Sequence, residues 1–128
     1  MESILKKENI MLNLSHKKLD VWKLSIELSK QTYKITENFP KFELYGISNQ
    51  LRRATVSISS NIAEGCSRKS TLEKKRFLEI SRSSLVEVDT QLIISKELNY
   101  LNDIELEKFN ELLNKLFAKL SNLIIKIE

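Results

Sequence analysis

A chain of 128 residues with 41% apolar side chains is long enough to bury one core without disulfides or a structural metal, and too apolar to be disordered. Two glycines and one proline exclude a multi-turn β protein, and no apolar run approaches the roughly 18 residues of a membrane span. The formal net charge of +4 is modest; Cys66 and His16, each alone of its type, exclude an intramolecular disulfide and any His/Cys metal site.

Residues 1–18, MESILKKENIMLNLSHKK, mix charges and hold no unbroken apolar stretch. They read as a peripheral extension without a signal peptide, ahead of a helical domain over 19–128, and a cytoplasmic protein without cofactor or metal is expected. The first helix is expected over 20–38, with Asp20 as its cap, Leu19 and Leu24 as a hydrophobic staple, and Pro40 as its stop. After the turn at Gly46 a second helix spans 48–64. Gly65 then falls where a helix wants a left-handed residue just past its end, and 66–69 form a tight turn. Ser70 with Glu73 reads as a capping box opening a third helix over 71–99. Asn102 with Glu105 repeats that pattern for a fourth over 103–127, with Leu101 and Leu106 as its staple.

The apolar spacing agrees with this division. Ile47, Leu51, Ala54, Ile58 and Ile62 mark one face of the second helix, and Phe109, Leu113, Leu116, Leu120 and Ile127 lie in a broad stripe on the fourth. Short connections between such helices predict an all-α, antiparallel up-and-down four-helix bundle. The first and third helices depart from one-sided patterning. Trp22, Ile26 and Tyr33 form a second stripe on the first helix, while Leu78, Leu85, Ile93 and their apolar neighbours surround the third. A helix that is apolar all round must be covered all round, so these six residues are expected at a homo-oligomer interface, unless residues 1–18 cover them.

Charge is concentrated. Residues 52–82 carry eight basic side chains, Arg52, Arg53, Arg68, Lys69, Lys74, Lys75, Arg76 and Arg82, against Glu64, Glu73 and Glu79. That segment is +5, the rest of the chain is −1, and all five arginines lie within it. Arginine's planar fork suits phosphate, and the start of the third helix offers free N–H groups beside Arg68 and Lys69. The pattern fits either a phosphate-binding surface or a solvated face paired with its own glutamates. Serines 57, 59, 60, 81, 83 and 84, with Ala63, read as small residues that let two helices approach. Ser15 and Lys18 make a formal S-x-x-K, but no base or further element of an acylating site accompanies them, so no enzyme is expected.

Gln50-Leu51-Arg52-Arg53-Ala54, Ser57, Asn61-Ile62-Ala63-Glu64-Gly65, and Ser84-Leu85 with Glu87 together resemble the bacterial four-helix-bundle proteins encoded in intervening sequences of 23S ribosomal RNA genes. The likeness runs over residues 19–101, with the fourth helix agreeing in pattern only. It implies a ring-like homopentamer, kinship with the accessory variability protein of diversity-generating retroelements, and through that kinship nucleic acid and a reverse transcriptase as partners. Where the family often has glycine before the serine matching Ser84, this chain has Ser83, a change expected to loosen the closest helix contact. Asn61, Glu64 and Gly65 are expected to be structural, tying the end of the second helix to the third.

The resulting expectation is a non-catalytic binder of the RNA or DNA backbone, RNA ahead of DNA because of where the family's genes lie. The alternative is a protein scaffold turning the same basic face to an acidic partner. Phe77 is the single aromatic among the basic residues, so binding is expected to follow the backbone with little base stacking.

Overall fold

Four α-helices, α1 (Asp20–Thr36), α2 (Ile47–Ser67), α3 (Thr71–Glu97) and α4 (Asp103–Lys126), carry most of residues 11–127, the part of the chain that the computed structural model describes; no strand occurs among these residues. Two 3-10 turns, Ser15–Lys18 and Lys41–Glu43, precede α1 and α2. Each helix packs on its neighbour in the chain, and α1 also meets α4, so the four close around one core. Leu28, Leu51, Ile58, Ile62, Leu78, Leu92, Leu116 and Leu120 are fully buried in it. Each such side chain contributes about 1.5–3 kcal/mol by leaving water.

The seam between α2 and α3 is the most extensive, and small polar residues make it close. Ser81 Oγ donates to the Ile58 carbonyl at 2.9 Å, and the Ser57 and Ser84 hydroxyls meet at 3.0 Å. Across the α1–α2 seam, Ser59 donates to the Ser25 hydroxyl at 2.8 Å. Ser60 and Ser83 are exposed and take no part, so the serine at 83 leaves the closest helix contact untouched.

Gly65 corrects the expected punctuation. It is buried inside α2 with no left-handed backbone, and the helix continues to Ser67. A Cβ at this position would sit 3.1 Å from the Lys74 carbonyl oxygen, 3.2 Å from Phe77 Cβ and 3.4 Å from Leu78 Cγ. Glycine is therefore used for close approach of α3, and the connection shrinks to residues 68–70. Asp20 is also not a cap: it is the first residue of α1, capped by Leu19 without a side-chain bond, and its carboxylate lies 3.8 Å from Lys119 Nζ. Ser70 does cap α3, accepting from Glu73 N at 3.2 Å, and Asn102 with Glu105 forms a complete reciprocal box on α4.

Three of the six expected interface residues belong to the chain's own core. Trp22 is 8% exposed, Leu78 0% and Leu85 2%, so they offer a neighbour no surface. On α1 the cover comes partly from the preceding segment: His16, buried in the 3-10 turn, lies edge-on to the Trp22 ring at 5.2 Å. Of residues 11–18 only His16 is buried and most of the rest are exposed, and residues 1–10 lie outside the described residues. Ile26 is half-buried against the core, and Tyr33 and Ile93 are exposed. On α3 the excess apolar surface persists, with Ile80, Val86, Ile93 and Ile94 all exposed.

Candidate nucleic-acid interface

The eight basic residues do not form one face. Arg68, Lys69, Lys74, Lys75 and Arg76 gather where α2 hands over to α3. Arg52 and Arg53 sit near the start of α2, about 20 Å away along its axis at 1.5 Å per residue. Arg82 turns from α3 toward α4, donating to Ser121 Oγ at 3.2 Å with its guanidinium 5.9 Å from the Phe117 ring centre.

Several of these cations are already engaged. Arg68 Nη2 lies 3.0 Å from Glu64 Oε2 and Nη1 lies 3.6 Å from Glu73 Oε2, while its guanidinium sits 4.8 Å over the Phe77 ring. Two carboxylates and a ring hold it in place, so Arg68 closes the α2–α3 turn as a tie between helices. Arg52 Nε donates to Thr36 Oγ1 at 2.8 Å, and its guanidinium lies 4.9 Å over the Tyr33 ring. Arg53, Lys69 and Arg76 are exposed; Lys74 and Lys75 are half-buried. Beside Lys74, burial pushes the Cys66 thiol upward, and the lysine's charge only partly opposes this. A thiol held protonated in this way is a poor nucleophile.

Asn61 and Glu64 have structural partners here. Asn61 Nδ2 donates to the Ser57 carbonyl at 2.8 Å and to its hydroxyl at 3.0 Å, which in turn meets Ser84 on α3. Glu64 anchors Arg68, and the Ser67 hydroxyl donates to the Glu64 carbonyl at 2.7 Å. In the first turn of α3, Ser70 serves the Glu73 N–H, so a cap and ion pairs brace the turn, while the buried Arg68 Nε has no hydrogen-bond partner. Among the described residues no group of three or more His, Cys, Asp or Glu is placed to hold a metal.

The opposite end of α2 holds what charge counting missed. Five of the chain's nine aromatic side chains, Tyr33, Phe39, Phe42, Tyr45 and Tyr100, lie on the last turn of α1, the loop 37–46 and the α3–α4 connection. Phe39 is buried and packs on Tyr100 with ring centres 5.2 Å apart. The Tyr100 hydroxyl donates to Glu43 Oε2 at 2.8 Å, and Glu43 Oε1 accepts from Ile47 N at 3.3 Å, at the first turn of α2. This bond to a carboxylate raises the Tyr100 pKa above its ordinary value, with burial and the Glu43 charge acting the same way. The carboxylate folds over Gly46, in space a Cβ would fill. Residues 40–46 are thus pinned at both ends, yet Phe42 is 79% and Tyr45 90% exposed.

This arrangement of α2 against α3 carries the Gln50–Ala54 and Asn61–Gly65 stretches on one helix. The sequence pattern of the 23S rRNA-intervening sequence proteins matches residues 17–122. The chain belongs to that family. The fold is also that of a solved protein of unknown function from the S23 ribosomal protein family of Bacteroides thetaiotaomicron, at a TM-score of 0.73 and 22% identity over 81% of this chain and 97% of the other. No curated protein matches the chain. Membership in the 23S rRNA-intervening sequence family assigns the chain no reaction. No helix among the described residues is long and apolar enough to cross a membrane.

Proposed function

We propose that this member of the 23S rRNA-intervening sequence family is a non-catalytic, cytoplasmic nucleic-acid-binding protein, taking RNA ahead of DNA, and that it works as a ring-like homopentamer of antiparallel up-and-down bundles. One observation carries the binding: all net positive charge lies in residues 52–82, where Arg53, Lys69 and Arg76 stand exposed beside cations held by structural partners. Several copies of that +5 segment on one ring multiply weak phosphate contacts through avidity. The cross-helix pairs support the antiparallel order, since Ser25 meets Ser59 while the later Thr36 meets the earlier Arg52. Exposed Ile80, Val86, Ile93 and Ile94 support self-association through α3. Non-catalysis is supported by His16, the one histidine, which is buried against Trp22; burial and then the Lys17 charge lower its pKa, making it a neutral packing group.

A second reading, a scaffold turning the same basic face to an acidic protein partner, draws support from the exposed Arg53, Lys69 and Arg76, cations of the kind that Arg68 shows pairing with carboxylates. Binding to structured RNA, duplex DNA and an acidic peptide across a salt series separates the two. A nucleic-acid binder loses affinity with a log–log slope near −0.7 to −0.9 per phosphate neutralised. No binding to any nucleic acid at about 50 mM salt, where such contacts are strongest, transfers the role to the scaffold. Light scattering that returns a 14.9 kDa particle overturns the ring.

A further inference from the structure

Clustered exposed apolar surface marks a partner, and two of the most exposed large hydrophobic side chains among the described residues, Phe42 and Tyr45, stand in one short loop. Their exposure does not come from a loosely held segment. Phe39 is buried just before them, Glu43 ties Tyr100 to the first turn of α2, and Gly46 N donates to the Glu43 carbonyl at 2.9 Å just after. The backbone between those anchors is a 3-10 turn closed by Glu43 N to the Pro40 carbonyl at 2.9 Å and Leu44 N to the Lys41 carbonyl at 3.1 Å. A rigid loop that holds two rings in water keeps them ready for a flat ligand, with little ordering cost on binding.

The surroundings say which flat ligand. Lys41 stands exposed between Pro40 and Phe42, Arg53 is exposed on the second turn of α2, and Arg52 already lies over the Tyr33 ring. Of the nearby acids, Glu37 is exposed, while Glu43 is engaged by Tyr100 and by the start of α2. Aromatic faces set among cations suit a polyanion that also carries unpaired rings, and are a poor match for an aliphatic protein surface. We infer that the loop 40–46, with Tyr33, Arg52 and Arg53, is a stacking platform for unpaired nucleobases of a single strand whose phosphates run along the start of α2. This rests on the nucleic-acid reading above and departs from it in one respect: the strand is held by its bases as well as its backbone, at the end of α2 remote from the Arg68 turn.

The test uses the full chain and a fluorescein-labelled, unstructured 20-nucleotide RNA, the same RNA annealed to its complement, and the corresponding single-stranded DNA. The wild type binds the single strand more tightly than the duplex, and RNA and DNA single strands report whether the sugar matters. Phe42→Leu with Tyr45→Leu keeps apolar bulk and removes both π faces. It weakens single-strand binding about tenfold or more, leaves duplex binding within twofold, and keeps the salt slope, since no cation is lost. Tyr45→Trp retains affinity and shows tryptophan quenching on adding the single strand only. Both substituted side chains are exposed, so helicity and melting temperature confirm that the variants fold. If the double variant binds both nucleic acids like the wild type, the platform is wrong while the phosphate reading survives. If the double variant instead changes the particle mass, the loop serves self-association and the platform is again wrong. A wild type that binds no nucleic acid at about 50 mM salt overturns the underlying reading and this inference with it.

Discussion

At the Gly65 end of α2, cations lie beside carboxylates, a ring and a serine cap, and glycine brings two helix backbones together. At the Gly46 end, the other glycine lets a carboxylate fold over the backbone, and Phe42 and Tyr45 turn outward. The first end is richer in charge and the second richer in unsatisfied surface. Charge density along a sequence therefore points to where ions are, whereas availability depends on which of them the fold has already used. Arg68, central to the basic segment, is bound to its own chain, while Arg53 on α2 and Lys41 beside Phe42 stand exposed.

Substitutions can break or sharpen this contrast. The largest effect is expected from Gly65→Leu, because the atoms facing the glycine are backbone and the bases of side chains that cannot swing away. Overpacking there should cost about 3 kcal/mol, read as a lower urea midpoint with an unchanged m-value. Asn61→Ala removes the amide that donates to Ser57, whose hydroxyl meets Ser84 across the α2–α3 seam, and a loss of about 1–2 kcal/mol is expected by the same measurement. At the other end, Gly46→Ala should be milder, about 1 kcal/mol, because the added Cβ meets only the mobile tip of Glu43. The carboxylate then leaves Tyr100, and the phenol, followed by absorbance at 295 nm against Tyr100→Phe, should titrate closer to its ordinary value. If Gly46→Ala proves as damaging as Gly65→Leu, the distinction between the two glycines fails.

The ends should also respond to opposite extremes of pH. His16, buried against Trp22, has its pKa lowered from 6.5, so the unfolded chain binds the proton more readily. Its contribution is complete above about 6.5 and is lost as pH falls below that value; His16→Gln should flatten the fall in melting temperature between pH 7 and 5. Tyr100 has its pKa raised above 10.0 by Glu43, so its contribution is complete below about 10 and is lost as pH rises through the folded value. Tyr100→Phe should flatten that alkaline decline. The smallest effect is expected from Arg68→Gln: its ion pairs are partly solvated, and less than about 1 kcal/mol of stability should go. Nucleic-acid affinity should fall more with Arg53→Gln than with Arg68→Gln, and the reverse order would restore the turn as the main contact.

Features settled within three or four residues were legible in the chain alone. Ser70 and Asn102 cap their helices because a short polar side chain reaches its own N3 amide wherever the rest of the protein lies. The helical class and the faces of α2 and α4 follow from periodicity for the same reason, and Gln50–Ala54, Ser57, Asn61–Gly65 and Ser84-Leu85 with Glu87 carry the family resemblance by their order and spacing. Everything that depended on a second segment had to wait for the tertiary structure. Gly65 has two physical uses, a left-handed cap or close approach, and only Lys74 and Phe77 opposite it decide between them. Trp22 is closed off by His16 from the preceding 3-10 turn, and Arg52 comes to lie over Tyr33 when α1 and α2 pack. Local hydrogen bonding is specified by short-range chemistry; burial, ion pairing and exposure are properties of pairs far apart in the chain, fixed only when the core brings them together.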